Sequence, residues 1–547
     1  MAMDGSWRRG GTPQMTFTDA DIDAAEEMAT SGSYSEVPDI VGQFLKYMHQ
    51  TFLDRNIVEL HNLYEQVFQR FTDRYYRLMS WPSPEHVAEY VENDAVFLLL
   101  YNELYYRHLF SKMIPSLAQR VDSWQNYCNL FEGFLQHGMI DHDLPPSWLW
   151  DMIDEFIYQF ESWCQYRAKL KSKTPEEIQY LRENDQIWNV QTVLSLLTCL
   201  VHKSNIISWL LRGEPSGSND PDSANFDIST LPVYRYIGYF SIIGLLRVNT
   251  LLGDYRLALM VLQPLDFDVS TALFTHVTAC HVSIYYYMGF CYIMLRRYED
   301  AVRVFSSTVI HIGRIKHNHT RSYQYEQINK RNDQMMALLA LCLAMQPQQV
   351  DESTMSLMRD RSGERLSRLR QGELQAFEDL FNYACPKFIS PAPPDYDAAE
   401  DTNMEAPRLQ TKLYMQVVRS QLLLPEVRSY LKLYTTIEIG KLGALMDVDS
   451  STFRSHLHAL KHRSWTLSGS FAVPPLDGVF STSSDVGFYI ERDVVHISDT
   501  KQSSRYGEYF IENIKKLDDL HSQLKRKMTI ENSKGNPKGG RRTTRVS

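Results

Sequence analysis

The chain has no cysteine arrangement that could staple it. Its seven cysteines, Cys128, Cys164, Cys199, Cys280, Cys291, Cys342 and Cys385, are odd in number, and no two stand as CxxC. That spacing argues against a disulfide framework and against a zinc knuckle, and fits reduced, mostly buried thiols of an intracellular protein. The signatures of common active sites are missing too. There is no GxxxxGK[ST] phosphate loop, no HExxH and no GxSxG. The N-terminus lacks the basic-then-apolar pattern of a secretory signal, so the sequon Asn318-His319-Thr320 reads as a chance match. Strong net charge is absent as well. At −10 over 547 residues, nothing drives the whole molecule toward nucleic acid, and any such contact must be a local patch.

Two His-x-His pairs, His317/His319 and His456/His458, are the remaining hints of a metal. Metalloproteases that use such a pair add a serine eight residues on and an aspartate three later. Here the first pair meets Gln327 and Lys330, the second Thr466 and Gly469. A third ligand is lacking, so both pairs read as exposed or capping histidines, with no catalytic, metal or cofactor site.

What is present is a globular balance of 44% hydrophobic and 22% charged residues, enough to fill large cores. Residues 1–35 are rich in Gly, Ser, Thr and Asp and read as disordered. From 36 to 212 the chain reads as helix after helix. Phe44, Tyr47, Met48 and Phe52 recur at helical spacing, and breaks fall at Trp81-Pro82, Pro115, Leu144-Pro145-Pro146 and Thr174-Pro175. Residues 213–225 form a Gly-, Pro-, Ser- and Asp-rich loop. A degenerate repeat occupies 226–388: Gly253-Asp254-Tyr255-Arg256-Leu257-Ala258-Leu259 returns as Arg296-Arg297-Tyr298-Glu299-Asp300-Ala301-Val302. Gly289, Tyr292, Ala301 and Phe305 then take tetratricopeptide-like spacing, the small residues letting paired helices close. Val269 to Leu295 has no Asp, Glu, Lys or Arg. Its histidines and its place in the repeat make it a buried soluble helix pair rather than a membrane span.

Residues 389–406 form an acidic, Pro-containing linker, and the pattern then changes. Over 407–500 it predicts a winged-helix module. A helix runs from Leu422 to Tyr434, and Thr435 with Glu438 forms a capping box for a helix carrying Ile439, Leu442 and Leu445. Asp449 or Ser450 caps a second helix carrying Phe453, Leu457 and Leu460. Strands follow at Trp465-Thr466-Leu467, Phe488-Tyr489-Ile490 and Val494-Val495-His496-Ile497, the last two joined as a wing. The second helix carries Arg454, Lys461, His462 and Arg463, but its leading turn is Asp449, Ser450, Ser451 and Thr452. These cations therefore read as a solvated face rather than a groove reader.

A C-terminal helix over 501–530 has an apolar stripe in which Ile514, Leu517, Leu520 and Leu524 are the candidate partner-binding residues. The tail at 531–547 reads as disordered and basic. Lys534, Lys538, Arg541, Arg542 and Arg545 are candidate RNA contacts of the kind that neutralise phosphates without reading sequence. Tyr105-Tyr106 and Tyr285-Tyr286-Tyr287 lie in helical patterns and read as packing residues, not base-stacking platforms.

A helical array, a winged helix and a long last helix resemble the PCI-domain proteins of the proteasome lid, the signalosome and translation initiation factor 3. The finer likeness lies in ordered stretches: Pro38-Asp39-Ile40-Val41, Tyr101-Asn102-Glu103-Leu104-Tyr105-Tyr106-Arg107-His108-Leu109-Phe110 and Ser123-Trp124-Gln125-Asn126-Tyr127. Pro146-Ser147-Trp148-Leu149-Trp150-Asp151, Ile187-Trp188-Asn189-Val190 and Tyr434-Thr435-Thr436-Ile437 continue the series. Over about 35–528 these resemble the L-subunit family of initiation factor 3. The resemblance implies a cytoplasmic, non-catalytic scaffold that supports messenger RNA recruitment to the small ribosomal subunit. It also implies pairing with the factor's K subunit and other PCI subunits. The alternatives are a PCI scaffold of the lid or signalosome and a winged-helix DNA-binding regulator.

Overall fold

The structure, a computed structural model, describes residues 37–534 apart from 137–141, 213–227, 268–271, 320–323, 398–400 and 483–485 and positions 349, 403, 423, 472 and 500. The expectations for 1–35, for the loop at 213–225 and for the tail beyond 534 lie outside the described residues; positions 531–534, expected as disordered tail, instead continue the last helix. By packing, the chain forms two units. One holds the chain up to Arg419 together with Leu467–Val479; the other holds Ser420–Thr466 and the chain from Phe480 onward.

The first unit opens with α1 (Asp39–Leu53), α2 (Ile57–Asn62), a π-helical stretch at Leu63–Val67 and α3 (Phe68–Tyr75). It continues with α4 (Pro84–Ala88), α5 (Ala95–Lys112), α6 (Leu117–Leu135), α7 (Pro146–Ala168), α8 (Pro175–Glu183), α9 (Val190–Lys203) and α10 (Ile206–Arg212). The starts follow from local chemistry. Pro84, Pro146 and Pro175 stand in first turns, where the missing N–H was unpaired anyway. Ser116 with Gln119 and Thr174 with Glu177 close reciprocal capping boxes. Trp81 stacks on Phe68 at 4.6 Å, and Trp188 lies 4.8 Å from Trp124. Large rings thus fill the spaces between helices.

The repeat forms α11 (Pro232–Leu252), α12 (Tyr255–Val261), α13 (Thr278–Met294), α14 (Tyr298–His319), α15 (Tyr325–Met345), α16 (Glu352–Arg370) and α17 (Leu374–Ala384). The two copies begin α12 and α14 at the equivalent tyrosines, 255 and 298. Gly253 ends α11 at φ 88°, a left-handed cap. At Gly289 a Cβ would meet the Phe305 ring at 2.5 Å, so α13 and α14 approach as closely as the repeat spacing predicts. Helix α13 is buried along its length, and no described helix is long and apolar enough to cross a membrane.

Helix α18 (Glu405–Arg419) departs from the expected module boundary at 407. Tyr414 stacks on Phe381 at 4.3 Å, and Tyr255 donates to Gln410 Oε1 at 2.7 Å. Its apolar face is satisfied by α17 and α12, so it packs as one more helix of the array.

The second unit holds α19 (Leu424–Leu431), β1 (Thr436–Glu438), α20 (Ile439–Leu445) and α21 (Ser450–Ser464). Strands β2 (Trp465–Ser468) and β3 (Val479–Thr482) cross its boundary; β4 (Val486–Glu491), β5 (Val494–Asp499) and α22 (Lys501–Lys534) complete it. The three-stranded antiparallel sheet runs β1-β5-β4, with Ile437 opposite Val495 and Phe488 opposite Ile497. Val427, Leu431, Ile439, Leu442, Phe453 and Leu457 pack with that sheet. Asp449 caps α21 through Ser451 N, as expected. The capping box expected at Thr435 and Glu438 does not form. Thr436 to Glu438 are extended against β5, and Glu438 makes no side-chain cap bond to α20. Pairing β-branched Thr436 and Ile437 into the sheet outweighs a local cap. The helix expected over 422–434 is shorter, at 424–431.

Candidate interaction surfaces

Four places could carry chemistry or binding. The first is the set of thiols. Seven free cysteines are present. Burial pushes Cys164 and Cys291 up to about 12 and Cys128 and Cys385 up to about 11. A thiol held protonated is a poor nucleophile and a poor metal ligand. Among the described residues no cluster of three or more His, Cys, Asp or Glu could hold a metal ion. His456 and His458 lie on α21. The side chains of His317 and His319 are outside the described residues.

The second place is the buried polar network of the first unit. Glu103 is fully buried and receives Arg107 at 2.5 Å and Trp148 Nε1 at 3.2 Å. Tyr64 donates to Asp151 at 2.5 Å. Arg247 reaches Glu161 and Asp154 at 2.6 Å each, joining α11 to α7. Every charge here has an opposite partner, the condition under which buried ions persist. Glu103, Arg107, Trp148 and Asp151 stand in stretches quoted for the family resemblance, but sequence reasoning gave them no role; charged residues inside the apolar runs of α5, α7 and α11 were the available signal.

Third is the second helix of the helix-turn-helix. Arg454 is bonded to Asp493 and to the Arg492 carbonyl. Lys461 donates to the Phe488 carbonyl at 3.0 Å, and Arg463 to the Ser420 carbonyl at 2.7 Å. Arg454, Lys461 and Arg463, the three permanent cations that could face a phosphate, are thus engaged within their own module. They are tied to neighbouring backbone rather than merely solvated, a distinction that spacing alone could not supply.

The fourth is α22. Ile514 is 59%, Leu517 65%, Leu520 54% and Leu524 58% exposed. The structure therefore places all four predicted residues on one helix with their side chains in solvent. Tyr509, Phe510 and Ile511 extend the same exposure. Of the tail cations, Lys534 is the last residue of the helix and its side chain is not described. Lys538, Arg541, Arg542 and Arg545 lie outside the described residues.

One constellation was missed by sequence reasoning altogether. Residues 467–479 pack in the first unit. Arg297 donates to the carbonyls of Pro475 at 2.8 Å, Leu476 at 3.1 Å and Asp477 at 3.0 Å. Asp300 holds Arg297 Nε at 2.7 Å and accepts from Gly469 N at 2.9 Å. Tyr292 donates to the Pro475 carbonyl at 3.0 Å. This clamp grips main chain, so it needs shape rather than a particular sequence.

A helical-repeat array followed by a winged-helix module with a small antiparallel sheet defines the PCI class of subunit. A family profile described as "RNA polymerase I-associated factor PAF67" matches residues 119–517. The chain is similar to eukaryotic translation initiation factor 3 subunit L of Nematostella vectensis, 46% identical over 496 residues, covering 90% of this chain and 94% of that protein. It is similar to the subunit L of Homo sapiens at 42% and of Xenopus tropicalis at 41%, each over 528 residues and covering 92% and 93% of the two chains. The chain belongs to the eukaryotic translation initiation factor 3 subunit L family.

Proposed function

We propose that the chain acts as a non-catalytic scaffold of initiation factor 3 in the cytoplasm, supporting messenger RNA recruitment to the small ribosomal subunit. It pairs with the K subunit and other PCI subunits, and it uses no cofactor. The observation that carries this reading is the row of Ile514, Leu517, Leu520 and Leu524, each more than half exposed on a 34-residue helix. Burying such a row against a partner helix yields about 25 cal/mol per Å² of apolar surface. Engagement of Arg454, Lys461 and Arg463 within the module supports the scaffold over the DNA-regulator reading. The family assignment favours factor 3 over the lid and signalosome.

In this reading the chain divides into a helical domain over 36–212, an array from 226 that α18 extends to Arg419, a winged-helix module from Ser420, a last helix running to Lys534 and a basic tail beyond it. The RNA role of Lys534, Lys538, Arg541, Arg542 and Arg545 belongs to it too.

Co-purification from cells tests the proposal. Leu517→Asp with Leu520→Asp is expected to lose the other subunits of the factor at unchanged helix content. Retention of those subunits by the double variant rejects it. Deleting 531–547 is expected to flatten the salt dependence of RNA association.

A further inference from the structure

One side of α14 is a groove wall. Glu299, Arg303, Ser306, Ile310 and Arg314 follow one another at steps of three and four residues, so they share a face. His281 and Tyr285 of α13 and Asp351, just ahead of α16, complete an open groove of about 620 Å³. Its two ends differ in sign. Glu299 stands at the start of α14, 3.8 Å from Arg303, whose guanidinium is also bound to Asp300 and to the Gly469 carbonyl. Asp351 lies nearby, because Gln348 of the same loop donates to the Tyr298 carbonyl at 3.5 Å. Arg314 and His311 lie towards the other end of the helix. Fifteen residues of helix separate Glu299 from Arg314, about 22 Å at 1.5 Å each.

Two further observations point to an occupant. Ser306 is 8% exposed, and its hydroxyl, in the middle of the wall, has no hydrogen-bond partner. A buried polar group of that kind is the exception in folded proteins. The groove is also continuous with the clamp through Arg303 and Tyr285. Arg303 donates to the Gly469 carbonyl, and the Tyr285 ring meets Phe471 at 6.0 Å. This face therefore already holds a loop of polypeptide by its main chain. His281, stacked on His311 at 4.3 Å, is pushed down to about 3 by burial and by that neighbour, so it meets an occupant as a neutral ring.

We infer that the groove along α14 is a docking site for an extended peptide segment of a partner protein, with a basic side chain at the Glu299–Asp351 end and an acidic one at the His311–Arg314 end. At about 3.3 Å per residue, the two charges stand about six or seven residues apart in the partner. The peptide's main chain or a hydroxyl satisfies Ser306. The inference is independent of the α22 surface and goes beyond it.

Fluorescence anisotropy on the full-length chain tests the docking site with three labelled ten-residue peptides of one composition. In the first, two lysines precede two aspartates; in the second, the aspartates come first; in the third, the charges alternate. One segregated peptide is expected to bind about tenfold tighter than the alternating one. In the double variant Arg314→Glu with Asp351→Lys, the preference is expected to pass to the other segregated peptide. Ser307→Trp, at an exposed position on the same wall, is expected to block all binding at unchanged circular dichroism. Equal binding of the three peptides, or no binding, overturns the inference. A preference untouched by the charge swap overturns it too, as does displacement of every peptide alike by a single-stranded RNA.

Discussion

Helices α13 and α22 are both rich in apolar residues, and the molecule treats them in opposite ways. On α13 every position from Cys280 to Ile293 is buried, because α11, α12, α14, α15 and the 467–479 segment pack against it. On α22 the apolar residues from Tyr509 to Leu524 are more than half exposed. A helix that is apolar all round needs neighbours everywhere, whereas one apolar row needs a single neighbour. The first kind of pattern builds the fold of its own chain. The second leaves an apolar surface exposed in the isolated chain. The two helices can be told apart by what mutations do to stability.

The largest loss is expected inside the array. Arg247→Ala strips the bonded cation from two partly or fully buried carboxylates, Glu161 and Asp154. Breaking a buried pair from one side costs about 3–5 kcal/mol. A urea titration followed by tryptophan fluorescence should show the midpoint fall sharply. An unchanged midpoint would mean that the carboxylates find water or another cation. Gly289→Val comes next. Its first added carbon lands 2.5 Å from the Phe305 ring, and overpacking of this kind costs about 1–3 kcal/mol. The same titration reads it.

A smaller effect depends on pH. Burial pushes the Glu155 carboxyl up to about 8; its side chain accepts from Gln159 Nε2 at 3.0 Å. Its folded-state value lies above the unfolded one, so the folded chain binds this proton more tightly. The stabilisation is complete below the unfolded value of 4.5 and fades as pH rises toward 8. Glu155→Gln removes that slope. The variant should gain on the parent between pH 5 and 8, and parallel stability curves across that window would reject the assignment.

These contrasts also mark how much the sequence disclosed. Helix positions, the winged-helix order and the apolar stripe of α22 were legible, because 3.6-residue periodicity and proline punctuation are local signals; that the stripe is left in solvent was not. Strand β1 was misread as a cap, since Thr435 and Glu438 fit the capping spacing and only the β5 partner decides otherwise. Strand β3 was overlooked although Val479-Phe480-Ser481-Thr482 follows a glycine and is rich in strand formers. The clamp was invisible. Arg297 entered only as a member of a degenerate repeat and Arg303 not at all, and their partners lie more than 160 residues away in the chain. The tyrosine run at 285–287 was legible as packing; that Tyr287 lies 6.0 Å from Arg247 was not.

The smallest stability effect is expected where the binding effect is greatest. Leu517→Asp with Leu520→Asp exchanges two side chains that are 65% and 54% exposed in the isolated chain. Exposed substitutions away from caps and buried networks usually stay within about 0.5 kcal/mol. The double variant should therefore unfold at the parent's urea midpoint, while Gly289→Val, with a comparable change in bulk, does not. If it instead loses stability on the scale of an array variant, the row on α22 is covered by this chain's own residues in solution. The contrast between α13 and α22 would then vanish, and with it the reason to assign that row to a partner.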